Sequence, residues 1–82
     1  MFGIVERNNS IYITYDGDYI HKIVNRICDI YKISPYNLFN ILNEQGKCNE
    51  KTFNYEFENF EIAGKTVDII KSYLVINKLV GE

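Results

Sequence analysis

Apolar and polar positions separate most cleanly between Asp18 and Lys32. At about 100° per residue, Tyr19, Ile20, Ile23, Val24, Ile27, Cys28, Ile30 and Tyr31 share one half of a helical wheel. His21, Lys22, Asn25, Arg26, Asp29 and Lys32 fill the other half, so the stretch predicts an amphipathic helix with a wide core-facing side. Asp18 is the expected N-cap, since a carboxylate suits the positive start of a helix.

Upstream, Phe2 to Arg7 and Ile11 to Tyr15 are short runs rich in Ile, Val and Tyr, separated by Asn8, Asn9 and Ser10. Asparagine tolerates positive φ, so this reads as a β-hairpin. Ile11, Ile13 and Tyr15 share one strand face, and Tyr12 and Thr14 share the other. Asp16-Gly17-Asp18 is expected to break the strand and begin the helix.

Downstream, Ile33-Ser34-Pro35 ends one helix and starts another. Ser34 caps it, Pro35 takes its first position, and Ile33 and Leu38 occupy the two positions of a hydrophobic staple. Leu38, Phe39, Ile41 and Leu42 form the apolar face and Gly46 suits the C-terminal cap, giving a helix over 35–45. Phe53, Tyr55 and Phe57 then alternate with Asn54, Glu56 and Glu58, a strand period. The parity slips at Glu58-Asn59 before Phe60 and Ile62. A bulged strand over 53–62 accommodates this, and a hairpin turning at Glu58-Asn59 is the alternative. The hairpin would set Glu56 opposite Glu61, an unfavourable like-charge pair. Ala63-Gly64-Lys65 reads as a turn, with Thr66 capping a last helix over 67–80. The β-branched content of Tyr73 to Ile76 leaves a strand open there.

The order is ββααβα. It predicts a single α+β domain over residues 1–82, a small antiparallel sheet packed against helices. The hydrophobic fraction is 46%, with seven Tyr and five Phe, enough for a core in so short a chain.

Charge and chemistry narrow the functional classes. A net charge of −2 and a pI near 5.3 give no general attraction to nucleic acid or anionic membrane. No run approaches the roughly 18 apolar residues of a membrane span, and Met1 to Arg7 has no secretory pattern, so a cytoplasmic protein is expected. Cys28 and Cys48 make no disulfide framework. His21 is the only histidine, and no ligands repeat around it at metal spacing, so neither metal nor cofactor is expected. His21 and Cys28 lie two turns apart on different arcs and make no catalytic dyad. Ala63-Gly64-Lys65-Thr66 ends like a phosphate-binding loop, but Asn59 stands where its first glycine belongs.

Two binding readings remain. The helices joined by Ile33-Ser34-Pro35 resemble a helix-turn-helix, whose second helix would present Tyr36, Asn37, Asn40, Asn43, Glu44 and Gln45. That surface has no cation to neutralise phosphate. The stretch 50–61 carries four glutamates against Lys51, a net −3. Glu56, Glu58 and Glu61 are therefore candidates for docking a host protein with a basic, nucleic-acid-binding surface. Val75 and Leu79 fall on the polar side of the last helix and are candidates for self-association as a homodimer.

Ile, Asn, Tyr, Lys and Phe make up about half the chain, which fits AT-rich coding. In general character the chain resembles small acidic phage or viral inhibitors of host machinery, anti-CRISPR-type proteins among them. The expected function is accordingly a non-enzymatic protein-binding inhibitor of the phage or mobile-element type. A helix-turn-helix transcriptional regulator is the alternative, and a small enzyme is the third possibility.

Overall fold

The computed structural model describes residues 1–80, with side chains through Ile76. The chain is α+β, as the patterning predicts. The hairpin is β1 (Phe2–Arg7) and β2 (Ser10–Tyr15), paired antiparallel from Phe2↔Tyr15 to Arg7↔Ser10. Asn8 and Asn9 both sit at positive φ, 53° and 65°, the conformation that a two-residue hairpin turn requires.

The next turn differs from expectation. Asp16 (φ 52°) and Gly17 (φ 86°) repeat the same left-handed geometry, so the chain folds back as a third strand, β3 (Asp18–Tyr19). Thr14 faces Tyr19 and Tyr15 faces Asp18. Asp18 therefore does not cap the helix. α1 (Ile20–Tyr31) begins after Tyr19, which makes no side-chain cap. The Asp-Gly pair carried a hairpin signal that the long wheel pattern obscured.

α1 buries Ile20, Ile23, Val24, Ile27 and Cys28, while Ile30 stays 63% exposed at its last turn. Lys32 adopts φ 58°, and the Ile33 N–H donates to the Cys28 carbonyl at 3.1 Å, closing the helix end. α2 (Pro35–Gln45) has the predicted bounds. The Ser34 hydroxyl accepts from the Tyr36 N–H at 3.3 Å, and Leu38 and Leu42 are fully buried. Gly46 follows in extended conformation (φ −127°), so a left-handed cap is not its role. Its missing side chain instead admits the Phe57 ring.

The strand expected over 53–62 is reduced to β5 (Tyr55–Glu56), paired with β4 (Lys47–Cys48). Phe57 then bridges to Ile11, its N–H donating to the Ile11 carbonyl at 2.9 Å. Phe53 is not strand; it sits in a loop at φ 59°, 67% exposed. Asn59 opens α3 (Phe60–Val80), its Oδ1 accepting the Ile62 N–H at 2.8 Å. The parity slip at Glu58-Asn59 is thus a change of period from strand to helix, neither a bulge nor a hairpin. Ala63-Gly64-Lys65 and Thr66, expected as turn and cap, lie inside α3. Thr66 is fully buried, its hydroxyl donating to the Ile62 carbonyl at 2.8 Å.

The observed order is βββααββα. Ile11 and Ile13 of β2, Phe57, and the inward residues of all three helices form one core on one side of the sheet. Ala63, Val67, Ile70 and Leu74 recur at helical spacing as the buried stripe of α3. Among the described residues no helix is long and apolar enough to cross a membrane.

A Cβ on Gly46 would lie 2.7 Å from Phe57 Cε1 and 3.0 Å from the Glu56 carbonyl oxygen. Gly46→Ala is therefore expected to destabilise the fold by about 1–3 kcal/mol, the range for overpacking. That is opposite in sign to the usual gain from replacing a glycine at an unconstrained site. Urea denaturation should give a lower midpoint at unchanged slope.

Candidate interaction surface

Strand alternation decides what the sheet shows to solvent. With Ile4, Ile11 and Ile13 on the helix side, Val5, Arg7, Tyr12, Thr14 and Tyr19 share the opposite side. Tyr12 and Tyr19 lie with ring centroids 5.1 Å apart, and Tyr19 stacks on His21 at 6.4 Å. Arg7 Nη1 donates to the Tyr19 hydroxyl at 3.1 Å, and the Tyr12 hydroxyl donates to Glu56 Oε1 at 3.1 Å. Tyrosine and arginine offer large contact area with directional polar ends, which is why they dominate interface hot spots. Reading Tyr19 as part of the helix hid this cluster. The register that a two-residue Asp-Gly turn imposes could have revealed it.

The three candidate glutamates do not share one strand. Glu56 is half-buried on β5, and Glu58 is exposed in the connection to α3. These two line a common open groove with Lys47. Glu61 lies apart, in the first turn of α3, beside a different groove formed with Phe2 and Ile4. Val75 is 57% exposed and adjoins Ile76, 60% exposed, above Lys71 and Ser72. The side chain of Leu79 lies outside the described residues.

The loop from Asn49 to Asn54 presents a further aromatic. Asn49 Oδ1 accepts from Lys51 N–H at 2.9 Å, and the Phe53 N–H donates to the Asn49 carbonyl at 2.7 Å. These bonds hold Phe53 left-handed with its ring outward, a strained backbone for an aromatic residue. As an alternating residue Phe53 looked inward, and only the loop geometry turns it out.

Cys28 and Tyr55 are buried in the core. Burial, with Asp29 nearby, pushes the Cys28 thiol up from its ordinary value and disfavours the thiolate. Burial also raises the Tyr55 hydroxyl, with Cys48 adding to the effect and a hydrogen bond with Asn43 opposing it. Ala63-Gly64-Lys65 lies within α3, whose backbone N–H groups are committed to the helix, so no phosphate cradle forms there. Among the described residues no group of three or more His, Cys, Asp or Glu could hold a metal ion. On α2, Asn37 is tied by its amide to the Tyr73 hydroxyl of α3 at 2.9 Å, which removes one of the residues that would read a base.

His21 is pushed below its ordinary 6.5 by burial first and by Lys22 second, and its Nδ1 is buried without a hydrogen-bond partner. The unfolded chain therefore binds more protons between that lowered value and 6.5, so stability is lost as pH falls through this window. Thermal midpoints should drop between about pH 7.5 and pH 5.5, and His21→Gln should flatten the difference. An NMR titration placing His21 at or above 6.5 would contradict this.

Comparison with protein-family models, curated proteins and solved structures gave no match.

Proposed function

We propose that this chain is a non-enzymatic binding module that acts by occupying a surface of another protein. In its fullest form it is a phage- or mobile-element-type inhibitor of a nucleic-acid-handling host protein. The observation that carries this reading is the solvent face of the sheet, where Arg7, Tyr12, Tyr19 and Glu56 are linked by hydrogen bonds and ring contacts. Rings pre-positioned in this way lose little freedom on binding, which is where affinity is usually gained. Glu56 and Glu58 add negative charge beside the cluster, suited to a basic partner. The helix-turn-helix alternative is weakened by Asn37, which is engaged with Tyr73, and by the absence of a cation on α2.

Affinity capture from a candidate host, with the wild-type chain and variants as bait, tests the reading. Arg7→Glu changes an exposed side chain and should alter stability by no more than about 0.5 kcal/mol. Loss of a hot-spot contact should weaken partner capture by roughly 2 kcal/mol, about thirtyfold. Glu56→Lys with Glu58→Lys should weaken it further at low salt. Equal capture by all these baits would overturn the assignment to this face. Duplex DNA should give no gel shift at micromolar protein in about 0.15 M salt. A sequence-specific shift abolished by Asn40→Ala would favour the regulator instead.

The exposed pair Val75 and Ile76, with Leu79 one turn on, is the place for a second copy in this proposal. Sedimentation equilibrium should report twice 9.7 kDa, and Val75→Glu should restore a folded monomer. A wild-type monomer, or an unfolded variant, would remove this element of the proposal.

A further inference from the structure

The hairpin register leaves one edge of the sheet open. A two-residue turn closes on the hydrogen-bonded pair Arg7↔Ser10, so Val5↔Tyr12 and Gly3↔Thr14 are also hydrogen-bonded pairs. The backbone groups of Phe2, Ile4 and Glu6 consequently point away from β2. β1 is the edge of its sheet, and β4 and β5 pair with each other elsewhere. Along that edge runs an open groove of about 630 Å³ between β1 and the first turns of α3, lined by Phe2, Ile4, Phe60, Gly64 and Val67.

Gly64 is the second, independent observation. It lies within a 21-residue helix, where glycine is among the poorest residues. Its backbone is not in the left-handed region, and a Cβ there would meet only Ile4 Cδ1, at an ordinary 3.9 Å. Among the described residues nothing asks for a glycine there. What it provides is a bare patch of helix backbone facing the groove, the kind of site another backbone can approach closely.

We propose that an extended segment of the partner protein adds to β1 as a further strand. It would be apolar at alternate positions, with lysine or arginine at its flanks. Its backbone takes up the outward N–H and C=O groups of Phe2, Ile4 and Glu6, and its inward side chains enter the groove over Gly64. Glu61 and Asp68 outnumber Lys65 in the groove lining, and Glu6 adds to the edge. Arg7 is turned to the opposite face against Tyr19 and the Met1 ammonium pairs with Asp16, so the groove selects basic flanks. A second copy fits poorly, because antiparallel self-pairing centred on Ile4 sets each Glu6 against the other chain's Phe2 and doubles the acidic rim. The proposal rests on the protein-binding reading and names a site for it.

The test uses the full chain and a short fluorescein-labelled peptide, with valine and threonine alternating between lysine pairs. Saturable anisotropy is expected, with a glutamate-flanked version binding about tenfold more weakly at low salt. Hydrogen exchange should slow by roughly tenfold or more at the amides of Phe2, Ile4 and Glu6, and change little at Gly3, Val5 and Arg7, which are already paired. Gly64→Leu fills the groove at a position that tolerates a side chain. Glu6→Pro removes an outward N–H without touching a β1–β2 hydrogen bond. Each should lose binding at least about tenfold while keeping the wild-type circular dichroism. Gly64→Leu should melt no lower than wild type, because a helical glycine is replaced. Failure of the wild type to bind the peptide, undiminished binding by Gly64→Leu, or protection at other amides would overturn the proposal. Protection of the β1 edge without peptide, accompanied by a doubled mass, would overturn it in favour of a second copy. Host capture separates the two levels of the argument. A partner retained equally by wild type and both variants rejects this site alone, whereas no capture by the wild type counts against the binding-module reading.

Discussion

Ile11 and Ile13 occupy the one face of β2 that the helices cover, and the register holding them there is set from both ends of the strand. Asn8-Asn9 fixes the pairing with β1, and Asp16-Gly17 fixes the pairing with β3. A slip of one residue at either turn would move both isoleucines to solvent and bring Tyr12 inward. The same register aligns Tyr12 with Tyr19 on the outer face and turns the backbone groups of Phe2, Ile4 and Glu6 outward. Core, exposed face and open edge are thus three consequences of one pair of left-handed turns.

The second half of the chain depends on a close approach. Gly46 lets the Phe57 ring lie against the end of α2, and Phe57 carries the bridge to Ile11 that joins the two halves. Two residues later Asn59 caps α3, whose buried stripe from Ala63 to Leu74 completes the core. The position of α3 beside β1, and with it the groove over Gly64, follows from where that bridge sets the helix down.

Burial pushes the Cys28 thiol up and His21, which lies against the Tyr19 ring, down from their ordinary values. Among the described residues the fold leaves outward paired tyrosines with an arginine, an exposed Phe53 and the β1 edge of the sheet. Exposed features of this kind are the ones on which the proposed partner binding rests.

How much was legible beforehand depended on how local the signal was. Asn8-Asn9, the Ser34-Pro35 start and the α1 wheel each act within a few residues, and they determined the hairpin, α2 and the inward face of α1 from sequence alone. Asp16-Gly17 was equally local but was overridden by the longer helical pattern beside it. The stretch 53–62 was ambiguous for a physical reason: short apolar runs fit strand and helix periods alike until tertiary partners choose. Phe57 is strand-like because Ile11 offers it a carbonyl, and Phe60 is helical because Asn59 caps the turn. The tyrosine cluster and its link from Tyr12 to Glu56 span 44 residues of chain, and the groove over Gly64 joins the first strand to the last helix. Sequence patterning determined the inward positions of β2 and most of those of α1 and α2, because burial follows from side-chain chemistry and period. Ile30 and Phe53, by contrast, stand exposed and Thr66 is buried through tertiary placement. Which outside residues stand next to one another was decided only by the tertiary structure, because solvent-facing positions carry no periodic constraint and their neighbours come from distant segments.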